Sequence, residues 1–225
     1  PAFIAWTTTP WTLTANAALA VGPRQNYVLC ENKDSKELLI VASNLKAKVL
    51  GDTWSVILEL TGADLVGIQY IPPFDNYKSE NHIHRVLPAE YVTTDDGTGI
   101  VHTAVAYGAD DAELGKAHAI PTLHTVDLKG ILQSPFPGHG KFIKIADRDI
   151  IKDLSDRELL FKDDSPYLHT YPFCWRCGTP LLYYAKASWY IQTTSKKNEM
   201  VKGNQSITWV PDHIKEGRFG EWLRN

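Results

Sequence analysis

At 225 residues, 44% hydrophobic and 22% charged, the chain has the composition of a soluble globular protein with one sizeable core, or a core plus an appendage. A formal net charge of -3 argues against a protein that grips long duplexes, because phosphate binding needs positive excess; it still allows a domain that receives one flexible strand end. No apolar run approaches the roughly 20 residues that cross a bilayer and Pro1 to Trp6 lacks signal-peptide features, while three cysteines with one close pair fit a reducing compartment, so a cytoplasmic monomer without membrane contact is expected.

The first two-thirds of the chain reads as strand-rich. Tyr27 to Cys30, Glu37 to Val41, Trp54 to Leu58, Leu65 to Tyr70 and His84 to Leu87 are short, apolar or β-branched runs separated by turn residues. Asp110 to His118 predicts a helix, with acids in its first turn and Lys116 and His118 near its end. Asp147 to Leu160 predicts a second, with Ile150, Ile151, Leu154 and Leu159 on its apolar side. From about Ser165 aromatic residues cluster around the one Cys-x-x-Cys, Ser195 to Ser206 is polar and flexible-looking, and Ile207 to Leu223 is a proline-bounded helix candidate. The expectation is an α+β fold, a closed or nearly closed β-barrel with helices outside, over residues 1–164, followed by a return segment over 165–225. Both ends read as cuts through a longer polypeptide.

Three motifs carry candidate chemistry. In Trp6-Thr7-Thr8-Thr9-Pro10-Trp11-Thr12, with Asn16 close behind, β-branched residues favour extended backbone and Pro10 starts a turn. Hydroxyls and backbone N–H groups then converge on one loop, able to hold a sugar hydroxyl, an ester carbonyl or a water. Taken alone, this also reads as a solvent-exposed strand end. Gly97-Thr98-Gly99-Ile100-Val101-His102 runs on to Gly108-Ala109-Asp110-Asp111, where one aspartate can cap the helix and leave the other facing a pocket. Capping plus a solvated carboxylate is the plainer alternative. Cys174-Trp175-Arg176-Cys177 supplies half of a tetrahedral zinc site, which would need completion from outside the chain; no metal at all is the other reading.

In this order, and together with Tyr171-Pro172-Phe173 before Cys174 and Trp209-Val210-Pro211 leading to Gly217-Arg218-Phe219-Gly220, the motifs resemble the editing (CP1) insertion of isoleucyl-tRNA synthetases, a class I aminoacyl-tRNA synthetase family, over nearly the whole chain. Valyl- and leucyl-type relatives usually carry arginine where Thr9 stands, so Thr9, Trp11 and His102 point to the isoleucyl kind. The stretch around the Cys-x-x-Cys suggests a eukaryote-like branch. Thr14 and Val105 depart from the prolines common in the family, at positions expected to line the pocket.

The resemblance implies a hydrolase that removes valine from tRNA(Ile), and valyl-adenylate as a second substrate. Its partners would be the 3' end of that tRNA and the rest of the synthetase in cis. ATP would bind elsewhere in the full-length enzyme, and no cofactor is needed at this site. By resemblance, Thr7, Thr8, Thr9 and Asp111 are the catalytic set, with Asp111 pairing with the substrate ammonium. Trp11, Thr12, Asn16, Gly97, Thr98, Gly99, His102 and Asp110 would bind substrate, with His102 crowding the side-chain pocket. No activated nucleophile is visible, so positioning of water and ester, helped by a ribose hydroxyl, is the implied mechanism. A tRNA-end binder without turnover and a zinc-ribbon interaction module are the alternatives from other classes.

Overall fold

In β2 (Ala18–Val21) all four residues are buried, Leu19 and Val21 in one core and Ala18 and Ala20 in another. Side chains alternate along a strand, so this short segment serves two layers at once. The computed structural model describes residues 1–76, 83–163 and 170–225. Within them β2 pairs in parallel with β6 (Arg85–Pro88) and antiparallel with β7 (Ile100–Thr103). A second sheet has the order β1 (Ala2–Phe3), β4 (Leu38–Ala42), β3 (Asn26–Asn32), β5 (Trp54–Thr61).

The sheets are joined along β7. Ala42 N donates to Thr98 O at 3.0 Å, and Trp6 forms a parallel bridge with Val101. The buried Tyr27 accepts the Gly22 N–H at 3.0 Å and donates to Gly99 O at 2.8 Å, and burial raises its pKa. Gly99 has φ +73, and a Cβ there would stand 2.4 Å from Ala42 Cβ, so only glycine lets the two sheets approach this closely. The expected barrel is thus realised as two linked sheets, with Val21, Val41, Val86 and Ile100 in the core cluster they share. Ala18 and Ala20, small on the other face of β2, share the second core with Leu114 of α3 (Ala109–Ala117) and with Ile143, Ala146, Ile150 and Leu154 of α4 (Ile143–Asp156). The α+β architecture with helices outside is as the sequence indicates.

Two elements differ from expectation for local reasons. Leu65 to Tyr70 is not a full strand. Thr61 and Asp64 form a capping box, Thr61 N donating to Asp64 Oδ2 at 2.8 Å, which turns Gly62–Leu65 into a short helix, α2. Only the end of the run pairs with β6, through Val86 N to Ile68 O at 2.9 Å and Tyr70 N to His84 O at 3.0 Å. Helix α4 begins a turn earlier than Asp147, because Ile143 and Ala146 extend its apolar stripe backwards. It stops at Asp156, where Glu158 has φ +58 and Leu159 N bonds Leu154 O at 2.8 Å, a left-handed closure that leaves Leu159 exposed. The remaining early helix is α1 (Lys46–Leu50).

The chain forms two compact units, Pro1–Ala185 and Lys186–Asn225. The change in composition near 165 falls in the undescribed stretch 164–169, and the chain beyond it stays with the first unit: Tyr184 O–H donates to Val126 O at 3.0 Å and Ala185 N to Ala106 O at 2.7 Å. In the second unit, the polar stretch read as flexible is helix α5 (Lys197–Ser206). Buried Asn204 holds it, donating to Lys215 O at 2.9 Å and accepting the Trp209 Nε1–H at 2.8 Å. The helix expected over Ile207 to Leu223 shrinks to α6 (Arg218–Arg224), after a 3-10 turn at Asp212–Ile214. Among the described residues, no helix is long and apolar enough to cross a membrane.

Candidate active site

The threonine run comes off its bridge with β7 and enters a 3-10 helix over Pro10–Ala15, with proline at its first position. No Thr9 side-chain bond caps this helix; Asp147 of α4 does so instead, its Oδ1 accepting the Trp11 N–H at 2.9 Å. Burial pushes the Asp147 carboxyl up, opposed by that N–H and by Lys144. Trp11 itself is buried, edge-on to Tyr107 with ring centroids 4.7 Å apart, so it anchors the loop in the core. Within the loop, Thr9 N donates to Thr7 Oγ1 at 3.1 Å, the Thr7 and Thr9 hydroxyls are 3.3 Å apart, and Thr12 O–H donates to Thr9 O at 2.8 Å. Thr8 is half-buried and its hydroxyl makes no hydrogen bond among the described residues.

His102 ties this loop to β7. Its Nε2 lies 2.9 Å from Thr12 Oγ1 and its Nδ1 lies 2.9 Å from Asn16 Nδ2. The proton positions follow from the partners. Ala18 O can only accept, so the Asn16 nitrogen 3.1 Å from it is the amide NH2. That NH2 also faces His102 Nδ1, which must therefore be unprotonated. The imidazole proton is on Nε2 and is donated to Thr12 Oγ1, whose own hydrogen goes to Thr9 O. Asn16 Oδ1 accepts from Tyr70 O–H at 2.5 Å, and His84 Nε2–H donates to Asn16 O at 3.1 Å. Burial takes the His102 pKa down to about 4, so the ring is neutral at ordinary pH. Asn16 and His102, expected to touch substrate, are both buried with their side-chain polar atoms bonded to protein groups.

At the far end of β7, Asp111 Oδ2 accepts the Ala104 N–H at 3.3 Å. A Cβ at Gly108 would meet this oxygen at 2.5 Å, so glycine is what lets the carboxylate fold back over the helix start. Burial raises the Asp111 pKa to about 6, against the Ala104 N–H and with help from the charge on Asp110. Asp110 is exposed. Tyr91, which no sequence pattern marked, has its hydroxyl pushed up to about 12 by burial and then by the charges of Asp111 and Asp110.

Thr12 and Asn16 thus meet His102 near the C-terminal end of β7, with Thr7 and Thr9 joined to Thr12, and Asp111 is held at Ala104 just past that end. Gly97, Thr98 and Gly99 belong to the strand's other end. Gly99 is about 16 Å from Ala104 along an extended chain, and these residues serve as the seam between sheets, with Gly97 against the Trp6 ring and Thr98 buried. Thr14 and Val105, expected to line the pocket, are packing residues. Thr14 Oγ1 donates to Thr125 Oγ1 at 2.8 Å in the core, and buried Val105 lies on Gly115 of α3. Cys174 and Cys177 bracket a turn closed by Cys174 N to Thr179 O and Gly178 N to Cys174 O, both 2.8 Å. No group of three or more metal-binding side chains occurs among the described residues. The second unit has an aromatic hollow of about 320 Å³ lined by Trp209, Ile214, Arg218, Phe219 and Trp222. No carboxylate or hydroxyl side chain is among these lining residues.

Residues 7–225 match the family model of class I tRNA synthetases (I, L, M and V), and the chain belongs to that family. It is 45% identical over 99% of its length to 23% of an isoleucine--tRNA ligase from Dehalococcoides mccartyi. It is 48% identical over 98% of its length to 20% of the Thermus thermophilus isoleucine--tRNA ligase, so it spans about a fifth of these relatives. Its fold is that of the structure described as GlLeuRS-CP1, with TM-score 0.58 at 18% identity over 70% of this chain and 81% of that one. A Plasmodium falciparum cytosolic leucyl-tRNA synthetase editing domain gives TM-score 0.51 at 13% identity over 68% of this chain and 78% of that one.

Proposed function

We propose that the chain is the editing region of an isoleucyl-tRNA synthetase and hydrolyses valine from tRNA(Ile), with valyl-adenylate as a second substrate. One observation carries the reading: a neutral hydroxyl cluster at Thr7, Thr9 and Thr12 is joined through His102 to the strand whose end holds the Asp111 carboxyl. Such a site offers donors and acceptors for an ester and a ribose and one anion for an ammonium, without a nucleophile of its own. Valine and isoleucine differ by one methylene, and a single apolar pocket separates them by only about 1–3 kcal/mol, a limit for which isoleucyl-tRNA synthetase is itself the worked example rather than a value obtained from this chain. A second pocket that excludes isoleucine by size therefore needs a wall that does not yield. His102, held at both ring nitrogens and uncharged, meets that need.

Asp111 at about 6 is ionised at neutral pH, and an approaching ammonium would favour the charged form further. The Thr8 hydroxyl, without a protein partner among the described residues, is available to the ester or water. The test is deacylation of valyl-tRNA(Ile) by the full-length synthetase carrying this segment. Asp111→Ala should slow it by about 100-fold or more, as removal of a charge-assisted contact worth about 1.5–3 kcal/mol, plus lost orientation, predicts. Unchanged deacylation would remove Asp111 from the mechanism. Retained tRNA-end affinity with no turnover in the unmodified enzyme would instead favour a binding module.

A further inference from the structure

We propose that Tyr70 is a positioning residue for this site: its hydroxyl holds the Asn16 amide in the orientation that keeps His102 in the Nε2–H tautomer facing Thr12. The role in turnover rests on the function proposed above; the tautomer does not. Tyr70 lies in the segment beyond α2, far in sequence from both the threonine run and β7, and its hydroxyl is 2.5 Å from Asn16 Oδ1.

The chain of donors has one direction. Tyr70 O–H donates to Asn16 Oδ1, Asn16 Nδ2–H to His102 Nδ1, His102 Nε2–H to Thr12 Oγ1, and Thr12 O–H to Thr9 O. Each link fixes the next, because the other polar positions of Asn16 and His102 are occupied. The amide is pinned from two sides, by Tyr70 at its oxygen and by Ala18 O at its nitrogen. Without the phenol oxygen, Asn16 Oδ1 becomes a buried acceptor with no donor. Turning that oxygen toward His102 Nδ1 restores a partner if Nδ1 carries the proton, at the cost of facing Ala18 O, so without the phenol the two amide orientations compete. The Nε2–H donated to Thr12 then ceases to be fixed, and the threonine loop loses its tie to β7 in a defined geometry. Tyr70 and His84 face this network, their rings 5.9 Å apart edge to face, and the charge of Asp75 acts on His84. The downward shift of His102 comes from burial, with no charged neighbour contributing.

The experiment is ¹⁵N–¹H correlation of the histidine rings in the labelled 225-residue chain at pH 7, with no tRNA present. The unmodified chain should show His102 as a single Nε2–H tautomer. Tyr70→Phe should show a mixture with substantial Nδ1–H, and Asn16→Asp, whose carboxylate can only accept, should show Nδ1–H as the main form. In the full-length synthetase, Tyr70→Phe should lower kcat for valyl-tRNA(Ile) deacylation about tenfold with KM nearly unchanged. A Nδ1–H tautomer in the unmodified chain would overturn the proposal without any variant having to fold. An unchanged single tautomer in folded Tyr70→Phe would overturn it as well. Absence of deacylation in the unmodified synthetase would count against the editing function and leave the ring spectra to decide the tautomer.

Discussion

Acidification should separate the two buried titrating groups of the site, because they push stability in opposite directions. His102 has an ordinary value of 6.5 and sits at about 4 in the fold. A depressed group contributes stability that is present above 6.5 and lost as pH falls towards 4. The gap corresponds to roughly 3 kcal/mol. Asp111 is raised from 3.8 to about 6, so its contribution is complete below 3.8 and is lost as pH rises through 6. Its carboxyl is not fully buried, and solvent screening reduces that to about 1–2 kcal/mol. Between pH 6.5 and 4 the two therefore partly offset each other in the unmodified chain. Asp111→Asn removes one slope. Urea unfolding of this variant, followed by amide signals of the first unit, should show stability falling by about 2–3 kcal/mol from pH 7 to 4. The double variant Asp111→Asn, His102→Gln should lack that fall. Comparing the two cancels exposed carboxylates such as Asp64 and Asp96, whose lowered values titrate at still lower pH. Equal pH profiles for the single and double variants would refute a neutral, burial-depressed His102.

Two further changes probe the scaffold. Asp147→Ala deletes the carboxylate that caps the 3-10 helix of the threonine loop, and should cost about 1–3 kcal/mol and speed amide exchange at Trp11; unchanged exchange would show that the loop holds its shape without α4. Gly115→Ala would bring a methyl to 2.6 Å from Val105 Cγ2 and should cost about 1–3 kcal/mol, with Val105→Ala restoring part of the loss when combined. Strict additivity of that pair in urea unfolding would argue against their contact.

What the sequence made legible was local. The strand runs at Tyr27, Leu38, Trp54 and Arg85 carry their own β-branched and apolar signal, and the helix starting near Asp110 shows its charge order plainly. Helix α5 was hidden because it is polar on nearly all sides and depends on Asn204 reaching Lys215 O and Trp209. In the site, the motifs pointed to the threonine run, His102 and Asp111. They did not separate residues that can meet a substrate from residues that hold others still. Asn16 and Trp11 are buried and bonded to partners remote in sequence, Tyr70 for one and Asp147 for the other, which no local pattern displays. Gly97 to Gly99 carry a glycine signal that is equally consistent with ligand approach and with a tight seam, and the close approach of Ala42 to Gly99 is visible only in the fold. Thr14 and Val105 are similar, since a departure from a family pattern does not say which face a side chain occupies.

The measurement that bears most directly on the whole account is a crystal structure of the chain with a non-hydrolysable valyl-adenosine mimic. It should place the mimic's ammonium within hydrogen-bond distance of the Asp111 carboxylate, its ester-equivalent atoms among the hydroxyls of Thr7, Thr8 and Thr9, and its side chain against the His102 ring. A mimic seated in the aromatic hollow of Trp209, Phe219 and Trp222, or one whose ammonium turns away from Asp111, would contradict it.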